Sequence, residues 1–233
     1  MSISIIKSVD WAPFSFEQTP GTDSISIFRI SARDYYSKIS ENVTNVLSAE
    51  ELFRSSRFFN KTDQERFISA RYALRNLLSV FLLQKASDIQ FKLLENNKPE
   101  VEGIEFNISH SQNEILIAIG TVSLGIDVEY IDPQFDMNMM LDSILTQQEA
   151  DFVRSYEEKH LGFYTMWTRK EALLKATGEG LIDDLSCLSV LQNVVSRKGT
   201  HYNLVSFLAG HQYSGAISYP NQDPKTIKYF NYP

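Results

Sequence analysis

The chain has 233 residues, enough for one large domain or two small ones. With 43% hydrophobic and 22% charged residues, 15 Phe and 11 Tyr, it has the make-up of a soluble globule with a substantial core. A net charge of −7 excludes binding of polyanions over the whole surface, and a single cysteine, Cys187, excludes an internal disulfide and a cysteine metal cluster.

These bounds leave room for a local basic patch but give no reason to expect a nucleic-acid partner. One cysteine fits a reducing compartment. The start, MSISIIKSVDWAPF, lacks a basic segment followed by an apolar run, so no secretion signal is expected. The longest apolar stretches, 77–83 and 115–126, are too short to span a bilayer. A cytoplasmic protein without membrane contact is the expectation.

Strands are predicted at 2–7 and 24–31, separated by Pro13, Pro20 and Gly21; the run SISIFRIS alternates with period two. Residues 35–60 are polar and read as helical, with Ser48 ahead of Ala49, Glu50 and Glu51 as a cap. A long helix is predicted over 62–85, opened by Thr62 and Glu65 as a capping box. Phe67, Ala70, Leu74, Leu77, Leu78 and Phe81 form its apolar stripe. Arg54, Arg57, Lys61, Arg66, Arg71 and Arg75 outnumber Asp63 and Glu65 across 54–75. Most such runs are solvated helix faces; a binding patch is the rarer outcome.

ENNKPEVEG (95–103) is a predicted turn. The stretch 106–129, FNISHSQNEILIAIGTVSLGIDVE, reads as a strand, a polar turn and a hairpin ending in two carboxylates. Ile126, Val128 and Tyr130 alternate with Asp127 and Glu129, so the apolar trio can enter a core while both acids share the other face. Like charges at i and i+2 repel unless a cation sits between them, and a hard divalent ion takes oxygen ligands. A solvated strand face is the ordinary reading of that pattern alone. His110 lies between Ser109 and Ser111, a polar turn able to hold an anion, although a lone histidine is more often structural. His160, His201 and His211 are not spaced as zinc ligands. No P-loop, dinucleotide-binding glycine loop or hydrolase elbow is present.

IDPQFD (131–136) breaks the pattern, and a boundary between two halves, 1–123 and 124–233, is expected near 122–125. TQQE (146–149) matches a capping box. A helix is predicted from about 162 to 177, ended by Gly178, with Trp167, Glu171 and Lys175 on one face. Glu171 and Lys175 are either a surface pair worth about 0.3–0.5 kcal/mol or a third acid with a phosphate contact beside it. Beyond 180 the chain reads as strands, at 185–195, 201–208, 211–219 and 226–230. Helices amid antiparallel strands argue an α+β class.

In order, Phe-Asn-Ile-Ser-His-Ser (106–111), Gly-Ile-Asp-Val-Glu (125–129), Trp-Thr-Arg-Lys-Glu (167–171), Lys175 and Gly178-Glu-Gly180 resemble the 4′-phosphopantetheinyl transferases of the surfactin-synthetase type. Lys98-Pro99 and Arg57-Phe58-Phe59 fit the same pattern, which covers about residues 50–182. The resemblance implies a monomer of two similar α+β halves in pseudo-twofold arrangement, with the active site in the cleft between them. It implies transfer of the phosphopantetheine arm of coenzyme A to a serine of an apo acyl or peptidyl carrier protein, releasing 3′,5′-ADP. Asp127, Glu129 and Glu171 would bind Mg²⁺ at the pyrophosphate, with Glu171 as base and Lys175 at the departing phosphate. Ser109 and His110 would hold phosphates, Lys98 the adenine side, and Arg54 and Arg66 the adenosine or its 3′-phosphate.

Three positions depart from the family pattern. Glu51 and Arg54 stand where two lysines are common, and Asn97 where glycine is common before Lys98. The carrier partner is typically acidic, so docking needs local basic or apolar surface. Leu181, Ile182 and Leu185 are candidates, unless they simply cover the core. A non-catalytic module binding coenzyme A or a carrier, and a metal-dependent hydrolase of the coenzyme A pyrophosphate, are the competing functions.

Overall fold

A computed structural model describes residues 6–16, 21, 23–93, 98–180, 182–222 and 225–233. In chain order the elements begin with β1 (Ile6–Lys7), β2 (Ala12–Pro13), β3 (Ser24–Ser31), α1 (Ala32–Ile39), α2 (Ala49–Ser56) and α3 (Lys61–Leu82). They continue with β4 (Lys92–Leu93), β5 (Pro99–Glu100), β6 (Glu105–Ser111), β7 (Glu114–Gly120) and β8 (Gly125–Tyr130). Then come α4 (Asn138–Ile144), α5 (Gln147–Ser155), α6 (Lys159–Thr177), β9 (Val194–Arg197), β10 (Thr200–Leu208), β11 (Tyr213–Pro220) and β12 (Thr226–Asn231). The α+β class expected from the sequence is the class found. Among the described residues no helix is long and apolar enough to cross a membrane.

The chain divides into two compact units. One comprises Trp11–Ile108, Asn113–Thr121 and Thr226–Pro233. Its sheet runs β2-β12-β3-β7-β6, so the C-terminal strand β12 lies beside β3, in parallel. SISIFRIS forms β3 over its predicted span, but Ser24 to Phe28 are all buried. The period-two pattern implied one open face; the fold covers both, and Ser26 is 0% exposed. Helix α3 buries Ala70, Leu74, Leu77 and Leu78 of the predicted stripe, while Phe67 and Phe81 pack at its margin. Its start differs from the expected Thr62–Glu65 box. Asn60 is the cap, its side chain accepting the Thr62 N–H at 2.8 Å, because the helix begins one residue earlier and places Thr62 inside it.

The other unit comprises Met1–Asp10, Ser109–Gln112 and Val122–Lys225. Its sheet runs β1-β10-β11-β8, with β9 also paired to β10. Helix α6 packs against β8, β10 and β11 and is buried along most of its circumference. It ends as predicted at Gly178, whose φ of 69° is a left-handed conformation that suits glycine. Thr146 and Glu149 form the predicted capping box of α5. The strand predicted at 185–195 is mostly absent: a 3₁₀ turn occupies Leu185–Cys187 and β9 starts only at Val194. Carbonyls of this segment are taken by side chains of α6 instead of by a neighbouring strand. Arg169 donates to Val190 O at 2.7 Å and Gln192 O at 2.6 Å; Lys170 donates to Leu185 O at 2.9 Å and to Leu188 O.

Candidate active site

Alternation on β8 sends Gly125, Asp127 and Glu129 to one face, and α6 lies across that face. Gly125 makes the close approach possible. A Cβ there would stand 2.2 Å from Ala172 O and 2.3 Å from Ala176 N, so any other residue would push helix and strand apart. The acids are therefore enclosed: Asp127 is 3% exposed and Glu129 half-buried. The solvated face allowed by the dipeptide pattern is excluded for Asp127.

Helix α6 leaves a partly exposed stripe that contains Trp167, Glu171 and Lys175, the three residues the spacing of four aligned. The ion pair of Lys175 is with Asp127, Nζ to Oδ1 at 2.7 Å, and the ammonium also donates to Ile126 O and Ser109 Oγ, each at 3.2 Å. Ser109 Oγ donates to the same Asp127 Oδ1 at 2.7 Å. The other oxygen, Oδ2, is buried without a hydrogen-bond partner. Glu129 Oε2 accepts from Ser111 Oγ at 2.8 Å, and the Trp167 side chain also hydrogen-bonds Glu129.

Burial, followed by the charge of Asp127, raises the Glu129 carboxyl above its ordinary pKa; Ser111, Trp167 and Lys175 offset part of this. Glu171 is raised by the same two causes and lowered in part by Lys175. Three acids thus face one ammonium. Among the described residues no three His, Cys, Asp or Glu side chains stand so that together they could hold a metal ion. In kind, however, the donors suit a hard divalent cation: all are carboxylate oxygens, one is an orphan, and the local charge is unbalanced.

His110 is exposed, on the opposite side of its strand from Ser109 and Ser111. Lys98 is half-buried just before β5, and Asn97 lies outside the described residues. Arg54 is exposed on α2, its guanidinium 5.3 Å from the centre of the Phe67 ring. Arg66 pairs with Asp63 at 2.5 Å. Arg54 borders a cleft of about 310 Å³ whose walls include Ser48, Glu51, Phe67, Arg71, Phe91 and Pro99.

Two of the six cations of the expected basic patch are engaged by Glu51. Glu51 accepts from Arg71 Nε at 2.6 Å and from Arg75 Nε at 2.7 Å, and Arg75 is 3% exposed. Glu51 is an internal counter-ion. Ile182 and Leu185 pack, partly buried, against the core of their unit, and Leu181 lies outside the described residues.

Sequence reasoning named Ser111 only as a hydroxyl flanking His110, and gave Arg169 and Lys170 no role of their own. Ser111 had a signal, since the pair Ser109, Ser111 has the same i, i+2 spacing as the pair Asp127, Glu129. Arg169 and Lys170 had none: both are 0% exposed, where charged residues are rare.

The model of the 4′-phosphopantetheinyl transferase superfamily matches residues 123–219. The 4′-phosphopantetheinyl transferase HetI of Nostoc sp. (strain PCC 7120 / SAG 25.82 / UTEX 2576) is 33% identical over 180 residues, covering 73% of this chain and 76% of that protein. The 4′-phosphopantetheinyl transferase Sfp of Bacillus subtilis (strain 168) is 28% identical over 155 residues, covering 65% of this chain and 69% of its own. The crystal structure of Thermotoga maritima holo-[acyl-carrier-protein] synthase aligns with a TM-score of 0.33 and 16% identity, over 42% of this chain and 62% of that one.

Proposed function

The chain belongs to the 4′-phosphopantetheinyl transferase superfamily and is an enzyme of that kind, and we propose that it moves the phosphopantetheine arm of coenzyme A to a serine of an apo acyl or peptidyl carrier protein in a Mg²⁺-dependent reaction. One observation carries the reading: Lys175 of α6 pairs with Asp127 of β8, and the charges of both reach Glu129 and Glu171, so one ammonium faces three acids and negative charge is in excess.

In this reading the serine oxygen forms a bond to the pantetheine-side phosphorus while the bond from that phosphorus to the bridging oxygen breaks. The products are the holo carrier and 3′,5′-ADP. Glu171 accepts the hydroxyl proton; burial and the charge of Asp127 favour its protonated form, which suits a proton acceptor. Lys175 neutralises the departing phosphate and can supply its proton. Asp127, Glu129 and Glu171 would hold Mg²⁺, which when bound offsets charge on the pyrophosphate. Ser109 and His110 serve phosphate oxygens, with Ser109 also orienting Asp127. Arg54, Arg66 and Lys98 serve the adenosine end, and the cleft beside Arg54 supports the assignment of that residue. The protein acts as a cytoplasmic monomer.

The test is incubation with coenzyme A, Mg²⁺ and apo carriers of acyl and peptidyl type, followed by mass spectrometry. At least one carrier gains phosphopantetheine. Unchanged carriers with release of free phosphopantetheine mean a hydrolase, and unchanged carriers with intact coenzyme A mean a binding module.

A further inference from the structure

Strand β8 ends its sheet: β11 pairs with one edge, and among the described residues the other edge receives no strand of that sheet. Amide groups on such an edge need acceptors. Val128 N donates to Ser109 Oγ at 3.3 Å, and Tyr130 N donates to Ser111 Oγ at 3.0 Å. Each hydroxyl then donates onward to a carboxylate of β8, Ser109 to Asp127 and Ser111 to Glu129. The direction of the second bond follows from its acceptor, since an ionised carboxylate has no proton to donate. A serine hydroxyl has one proton, and a backbone N–H can only donate. With its oxygen accepting from Tyr130, Ser111 turns its proton to Glu129.

Lys175 performs a similar service for Asp127, which therefore has two anchors. Glu129 has Ser111 and Trp167. We propose that Ser111 is a positioning residue for the transferase reaction: fixed by the β8 edge, it aims the Glu129 carboxylate and holds it ready for the divalent cation. The inference rests on the function proposed above, because it presumes that Glu129 serves a metal. Outer hydrogen bonds to metal-holding carboxylates set their orientation, and their loss weakens binding by about tenfold to a hundredfold.

The experiment measures Mn²⁺ affinity by electron paramagnetic resonance, on folded full-length protein saturated with coenzyme A. The parent is compared with Ser111→Ala, Ser111→Cys and Ser111→Thr, and urea unfolding is recorded for each. Ser111→Ala should raise the Mn²⁺ Kd by about tenfold or more, while the KM for coenzyme A at saturating Mg²⁺ stays close to the parent's. Ser111→Thr, which keeps the hydroxyl and favours a strand, should restore the affinity. Should Ser111→Ala not fold, Ser111→Cys, a far weaker donor, carries the same expectation.

A lowered unfolding midpoint with parental Mn²⁺ affinity would mean that Ser111 merely satisfies the sheet edge, and it overturns the proposal. So does a Thr variant as weak as the Ala variant. A parent that binds no Mn²⁺ overturns the positioning role and the metal-dependent reading together. Parental Mn²⁺ binding with no transfer to any carrier overturns the transferase reading alone.

Discussion

Glu171 is the side chain on which the proposed chemistry turns. It lies on the open stripe of α6, between Trp167, which reaches Glu129, and Lys175, which reaches Asp127. Glu171→Gln keeps the shape but can neither carry charge nor accept the proton. It is expected to lower kcat by about 10²–10⁴-fold with little change in the KM for coenzyme A. A steady-state analysis showing a change in KM alone would make it a binding residue. The stripe was legible in the sequence because a spacing of four is a property of any helix. The attachment of Lys175 to Asp127, 48 positions away, was not, and the sequence paired Lys175 with Glu171 as readily.

Two short helices are bolted to two long ones by the same device. Glu51, third residue of α2, accepts the Ser48 N–H in a capping box and also binds Arg71 and Arg75 of α3. Glu149, third residue of α5, accepts the Thr146 N–H and binds Lys170 of α6 at 2.8 Å, with both side chains fully buried. Burial alone would raise the Glu51 carboxyl. The charges of Arg71 and Arg75 and the Ser48 N–H outweigh it and hold the group below the ordinary glutamate range.

A depressed folded-state pKa stabilises fully above the unfolded value, and the contribution is lost as pH falls through the folded one. Glu51→Gln is accordingly expected to cost about 3 kcal/mol at neutral pH, since buried Arg75 loses its counter-charge. The difference from the parent should shrink as the pH is lowered past the ordinary glutamate range. Urea unfolding across that range checks it; a difference independent of pH would show that the charge of Glu51 is not what matters. Both capping boxes were readable as local four-residue patterns, but their cationic partners lie 20 or more positions away.

For the molecule as a whole, the proposed ligands should act together. An excess of buried carboxylate repels an anionic pyrophosphate, and a divalent cation relieves that repulsion. Coenzyme A and Mg²⁺ added together should therefore raise the unfolding temperature by more than the sum of their separate effects, with a coupling of about 1–3 kcal/mol. Strictly additive shifts in thermal unfolding would mean that the two bind independently.

The sequence alone carried the class of fold, the long helices, three of the caps and the list of acids and cations. Such features depend on neighbours within about four residues, where periodicity and capping operate. Only the folded chain decided which of those groups meet. Ser109 reaches Asp127 across 18 positions and Lys175 reaches Ser109 across 66. Those meetings depend on β8 being a sheet edge and on Gly125 admitting a helix backbone. The same long-range packing turned Arg71 and Arg75 from apparent surface charge into internal ties and made such ties of Arg169 and Lys170, since a buried cation needs its partners wherever the fold supplies them.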